Sequence, residues 1–505
     1  MNGQPCHNPE RNAVRAALAA ALLILGLAAG CAVGPRYQRP AATVPTTSVP
    51  NAWKTEPPWQ LAAPKDTIAK GEWWKVFHDP ALDTYEQQLL QANQSLAAAQ
   101  NRLEQARSIA RVATAGMFPQ LSADPGALRE GAGSNRPLSG ATIPTSYSQN
   151  VFTVPFNISY EVDLFGRVRR NVEAANASLQ SSAADLENAR LVLTAELAAD
   201  FFTLRELDAE LQVVEESVGY ERKGLELVNN RHNGGIASGL EVAQQAALLD
   251  ATLTQVALVK QSRAQYEHAI AVLVGQAASN FTIAAAPLRA TPPPLPLGVP
   301  SDVLERRPDI AYEERQVAYA NAQVGIARTA FYPHITIGSA GGLQSRDITT
   351  LANAPSLFWS LGADALEPIF QGGRNRANLA AARSAYDASV ANYRQSVLVA
   401  FQQVEDGISN LQTLSQAATT QAAAVEDARR ELFFANNRYI GGVTTYLDVI
   451  TAQSTLLNSE RLATQLLGQQ MVSSVYLVKA LGGGWDASSL NQQQVHPQFN
   501  QIVQP

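Results

Sequence analysis

The chain repeats itself once, and that constrains its fold more than any other feature. Arg231-His232-Asn233-Gly234-Gly235-Ile236 returns as Arg438-Tyr439-Ile440-Gly441-Gly442-Val443, an offset of 207 residues. The same offset carries Val274-Gly275 onto Leu481-Gly482 and Arg167 onto Arg374, while Phe118-Pro119 returns as Tyr332-Pro333 at an offset of 214. So long a period means a duplicated unit rather than a solenoid of short repeats. No proline falls between Pro155 and Pro287, or between Pro368 and Pro497. An interior proline breaks a helix at ~3 kcal/mol, so these spans admit very long helices. Leu193, Leu197, Phe201, Leu204, Leu207, Leu211, Val214 and Val218 in the first copy follow at intervals of three or four, as do Val390, Tyr393, Val397, Phe401, Val404, Ile408 and Leu411 in the second. That is the near-heptad seam of a coiled coil. A helix from Arg167 to Arg231 would run ~100 Å at about 1.5 Å per residue. Each such helix ends at a Gly-Gly pair and resumes beyond it, giving an αα-hairpin with a sharp tip.

Before each long helix the pattern changes to a period of two. From Phe152 to Val162 the even positions are apolar or aromatic and the odd ones are Thr, Pro, Asn, Ser and Glu. Leu357, Trp359, Leu361, Ala363 and Ala365 alternate in the same way. Strands are expected over about 120–130, 151–162, 334–343 and 356–366, with Pro125 a weak point in the first. Ten-residue alternation suits a half-buried soluble sheet or a transmembrane barrel. Four strands cannot close a lumen, because small closed barrels have about eight. A barrel would need several chains; three would give twelve strands with every edge paired.

The N-terminus favours the barrel. Arg11 and Arg15 precede an apolar run from Ala16 to Leu27, the layout of a secretory signal. It ends in Leu27-Ala28-Ala29-Gly30-Cys31, which resembles a bacterial lipobox with its Leu one place early. Cys31 is therefore the expected lipidation site, with Ala32 rather than Asp after it favouring transfer to the outer membrane. An ordinary signal peptide with a chance cysteine is the alternative. The only other cysteine, Cys6, lies in the segment to be removed, which excludes a disulfide framework. A net charge of −6 argues against a nucleic-acid partner. No nucleophile–base pair, metal-ligand spacing or phosphate loop points to an enzyme, and no cofactor is expected beyond the lipid on Cys31.

Cys31-Ala32-Val33-Gly34-Pro35, Tyr160-Glu161-Val162-Asp163-Leu164-Phe165-Gly166-Arg167, the string Leu304-Glu305-Arg306-Arg307-Pro308-Asp309-Ile310 and the paired Gly-Gly tips resemble the TolC-type outer-membrane efflux proteins, in their lipoprotein (OprM- and NodT-like) branch. The resemblance implies a mainly α chain with a transmembrane β part: a duplicated unit of two strands plus a long coiled-coil hairpin. It implies a homotrimer with a 12-stranded barrel and an α-helical periplasmic tunnel, embedded in outer-membrane lipid. It further implies a tripartite pump with a periplasmic adaptor and an inner-membrane RND-type transporter. The exit duct of a type I secretion system and a non-conducting structural trimer of the envelope are the alternatives. The expected organisation is a signal peptide over 1–30, a lipidated and equatorial segment over 31–80, a first repeat over 81–286, a proline-rich linker over 287–300, a second repeat over 301–482 and an equatorial tail over 483–505.

The resemblance also points to residues. Asp448 matches an acidic position that rings the periplasmic aperture, where three copies would favour cations. Tyr439 matches a tyrosine that ties the second hairpin to the first, and its usual basic companion falls at Thr444. Glu241 holds the corresponding acidic position of the first copy. The residues allow a plainer reading: Ser238-x-x-Glu241 and Thr445-x-x-Asp448 both have capping-box spacing, and the two roles are compatible. Gly234, Gly235, Gly441 and Gly442 make turns; with Ile236 and Val443 they are the expected adaptor-docking tips.

Overall fold

The computed structural model of the chain describes residues 33–43, 49, 53, 71–133, 147–294 and 306–484. Cys31, Trp59, Trp485 and the first part of the Leu304 string lie outside them. A short 3-10 turn at Trp73–Phe77 leads into α1 (Pro80–Ala92) and α2 (Gln94–Ala115). The sheet strands β1 (Gln120–Ala123), β2 (Gly126–Ala132) and β3 (Tyr147–Glu161) precede the hairpin of α3 (Arg167–Asn233) and α4 (Gly239–Leu273). The second copy repeats the order: α5 (Pro308–Thr329), β4 (His334–Ser345), β5 (Leu357–Leu366), α6 (Arg374–Ile440) and α7 (Tyr446–Ala480). α3 and α6 each have 67 residues, roughly 100 Å, and α4 and α7 each have 35. No described helix is long and apolar enough to cross a membrane.

The expected first strand is broken. Asp124-Pro125 interrupts it, and its halves β1 and β2 both pair with β3, which begins earlier than the alternation indicated, at Tyr147. β3 pairs with β4 and β4 with β5, all antiparallel, so the sheet has four strand positions and two open edges. The register puts like with like. Val154 lies opposite Leu343 and Leu343 opposite Leu357; Phe156 meets Gly341, which meets Trp359. On the other face Asn157, Ala340 and Ser360 align, as do Glu161, Thr336 and Asp364. One face is thus apolar and exposed, through Phe156, Ile158, Trp359 and Leu361.

The main core lies where the hairpins meet the N-terminal segment. Trp53, Trp73, Trp74 and Phe77 pack there with Phe201, Phe202, Tyr393 and Val475. The duplication locks each hairpin's end by the same device. Asn93, between α1 and α2, accepts from Leu96 N–H and donates to the Leu273 carbonyl at 2.8 Å, closing the end of α4. Its counterpart Arg307 donates to the Ala480 carbonyl at 3.1 Å, closing the end of α7, and to Gln403 Oε1 at 2.9 Å and Asp309. This gives the Arg306-Arg307-Pro308-Asp309 string its structural reason: Pro308 starts α5 while Arg307 holds the return helix.

Candidate aperture and docking tips

Each tip is built by its glycines. α3 ends with Gly234 as cap and Gly235 at φ +73°, α6 with Gly441 and Gly442 at φ +74°. That left-handed step turns Ile236 N–H back to the Arg231 carbonyl (2.8 Å) and Val443 N–H back to the Arg438 carbonyl (2.9 Å), satisfying the last turn of each helix. The turns leave apolar side chains in solvent. Ile236 is 71% and Val443 70% exposed, and Leu240, Ile440 and Leu447 beside them are exposed too.

The helix restarts differ. Ser238 and Glu241 form the expected capping box at the start of α4. Thr445 does not cap α7 through its side chain, so the second capping box is absent. Asp448 accepts from the Thr444 hydroxyl instead. The carboxylate at 448 is exposed and free of a capping role.

The hairpins are joined at the tips. Tyr439 donates its hydroxyl to Glu241 Oε2 at 2.9 Å, tying α6 to α4 across the duplication. The Arg231 guanidinium lies 4.5 Å from the Tyr439 ring centroid, on the site's cationic side. Burial and the Glu241 carboxylate hold the Tyr439 hydroxyl above its usual range, so it donates at neutral pH. Tyr446 completes a small core with Val228, Ala237, Tyr439 and Val449. It is fully buried, its ring 4.8 Å from that of Tyr439, and burial pushes its hydroxyl up to about 12. It fits because Gly224 faces it: a Cβ there would lie 2.8 Å from the Tyr446 hydroxyl oxygen. Sequence reasoning missed Tyr446. The signal was available, since its counterpart in the first copy is Gly239, and so large an asymmetry between copies marks a contact made once.

A two-faced sheet on two long coiled-coil hairpins is shared with known proteins. A sequence profile described as "Outer membrane efflux protein" matches residues 86–276 and 299–483. The chain belongs to the outer membrane efflux protein family. It is 32% identical over 470 residues to the pyoverdine export outer membrane protein OpmQ of Pseudomonas aeruginosa, spanning 92% of this chain and 97% of that one. It is 32% identical to the toluene efflux pump outer membrane protein TtgI of Pseudomonas putida, over 93% of this chain and 98% of that one. Among solved structures the outer-membrane channel OprN superposes at a TM-score of 0.83, with 26% identity over 90% of this chain and all of that one. This efflux family member is therefore an outer-membrane protein with the family's channel-forming fold.

Proposed function

We propose that three copies close their sheets into one twelve-stranded barrel and their helices into a tunnel, the exit duct of a tripartite pump with a periplasmic adaptor and an RND-type transporter. The observation that carries this is the sheet: four positions, two unpaired edges and an apolar exposed face require further strands to close it. The duplication says which surfaces meet. Within the chain α2 and α5 both cover the start of α3: Leu179 and Leu186 pack with Leu96 and Leu103 of α2 and Ala311 of α5, while Arg170, Gln180 and Ser181 are buried against α5. None of residues 374–392 at the start of α6 is buried. By the repeat's symmetry α2 of the next copy covers them. Likewise Phe165 stacks on Tyr332 at 4.9 Å, whereas Phe370, the aromatic residue of the second copy's strand-to-helix step, is 89% exposed. The counterpart of Tyr332 is Phe118, so Phe370 of one copy is expected to meet Phe118 of the next. Phe118→Cys with Phe370→Cys should give a ladder to trimer with a short bis-maleimide, and neither alone should. Monomer only from the pair would refute this packing.

Residues 33–37 support an anchor at Cys31. Val33 N–H bonds the Phe165 carbonyl at 3.0 Å, and Arg170 donates to the Gly34 carbonyl at 3.2 Å. Phe165 marks the step from strand to helix, so the chain leaves residue 33 at the boundary between barrel and tunnel, where lipid is in reach. At the opposite end, the exposed tips suit an adaptor, Asp448 suits a cation-selective ring, and the Tyr439–Glu241 bond suits a closing tie. Relatives named for pyoverdine, toluene and cation export support a conduit whose cargo is chosen elsewhere in the pump. The test is conductance of the purified protein in planar bilayers. Channels should be cation-preferring, and Asp448→Ala should lower that preference and raise single-channel conductance severalfold. An unchanged Asp448→Ala channel removes the ring, and no conductance at all removes the duct.

A further inference from the structure

Midway along the bundle α3, α6 and α7 border a cavity of 590 Å³. Its position follows from helix periodicity: Phe201, Phe202 and Leu204 of α3 face the core, while Thr203 and Glu206 line the cavity. Across it stand Asn410 and Thr413 of α6, the counterparts of Thr203 and Glu206 at the offset of 207. α7 supplies Gln469, Ser473 and the half-exposed ring of Tyr476. Among the described residues Glu206 is the only charged group in this lining; it is 9% exposed, shares a side-chain hydrogen bond with Glu210, and its Oε1 has no hydrogen-bond partner. The chain makes room for it: a Cβ at Gly468 of α7 would overlap Glu206 Cγ.

The nearest cation is already committed. Arg461 Nε donates to Glu210 Oε1 at 2.7 Å and its Nη1 to Gln255 at 3.2 Å. Asp200 and Glu196, further along α3, add negative charge near Tyr476. Burial first, then Glu210 beside it, pushes Glu206 up to about 7, and burial with Glu196 pushes Asp200 up to about 6. Of the other charged groups near this groove, Lys479 of α7 holds its Nζ 6.0 Å from the Tyr476 ring centroid and is faced by Arg307, Glu196 and Asp309, and α6 contributes no charged residue to the described lining. A buried carboxylate whose nearby cation is already bonded to another acid is costly unless it takes a proton or something cationic joins it.

We propose that this cavity binds a small organic ammonium ion, its charged end on Glu206 and its apolar end against Tyr476, Val472 and Leu414. One carboxylate among hydroxyls and carboxamides matches the three donors of an ammonium; a divalent metal would need several oxygen anions. The volume exceeds a single ion and suits a molecule of drug-fragment size. The duplication explains the asymmetry: both copies furnish a wall, and only the first carries the acid.

The test uses full-length protein purified in detergent with Asp448→Asn, so that the tips contribute nothing. Benzylamine is the probe and benzyl alcohol its neutral control, both followed by ligand-observed NMR. Benzylamine is expected to bind saturably, at least tenfold more tightly than benzyl alcohol. Binding should strengthen from pH 6 to pH 8, because Glu206 must give up its proton near 7 while the amine keeps its charge. Glu206→Gln should weaken benzylamine at least tenfold and flatten that pH profile. Tyr476→Ala, at an exposed ring, should weaken it severalfold and keep the profile. Equal binding of the two probes, or an unchanged Glu206→Gln protein, would mean that Glu206 and Glu210 only share a proton. Binding is read on the protein itself, so its failure leaves the exit duct standing.

Discussion

Gly482→Ala is expected to leave little folded protein in the membrane fraction. Gly482 has φ +94°, where an alanine is strained by ~1–2 kcal/mol. Its Cβ would also fall inside the van der Waals envelope of the Arg306 carbonyl oxygen, a backbone atom in the string that ends α7. Overpacking of that kind adds about 1–3 kcal/mol, a large part of a marginal folding free energy. Gly275 stands in the same place in the first copy, at φ +73° with the Ala92 carbonyl in its way, and Gly275→Ala should fail alike. Gly442→Ala is the control, since it shares the positive φ but has nothing within 4 Å. Melting of the purified protein distinguishes them. If Gly482→Ala melts with Gly442→Ala, the junction yields and the close approach is not a constraint.

Ile236→Glu combined with Val443→Glu should abolish export while trimers still form. Both side chains stand in solvent in the protomer, so the substitution disturbs no packing there. In a docked tip each glutamate would lose its water against an apolar partner, at several kcal/mol per charge. Three chains would bring six such charges to one contact ring. Drug susceptibility of cells depending on this chain, with pull-down of the adaptor, reads the result: sensitive cells, intact trimers and no adaptor recovered. Normal export by the double variant would place the docking surface elsewhere. Retained export with weaker pull-down would mean that the tips assist docking without carrying it.

The elements themselves were legible in the sequence. The helix expected from Arg167 to Arg231 runs from Arg167 to Asn233, and the alternation of 152–162 fixes both the strand and its apolar face. Pro125, which cannot donate to a ladder, divides the first strand in two. The tips were less legible. Ser238 with Glu241 caps as its spacing indicated, yet Thr445 with Asp448 has the same spacing and does not cap; the Asp448 carboxylate is engaged by the Thr444 hydroxyl.

What the sequence determined by itself is what short-range physics determines: helix and strand periods, glycine turns, proline limits and the duplication that makes two like hairpins. These depend on residues a few places apart, where backbone geometry leaves few choices. The tertiary structure decided what lies some two hundred residues apart. Tyr439 finds Glu241, Tyr446 fills the space that Gly224 leaves, and Glu206 ends beside Glu210 with one oxygen unpartnered among the described residues. Those pairings follow from how two nearly identical hairpins settle against each other. The repeat leaves that packing open, and a few unlike side chains decide it.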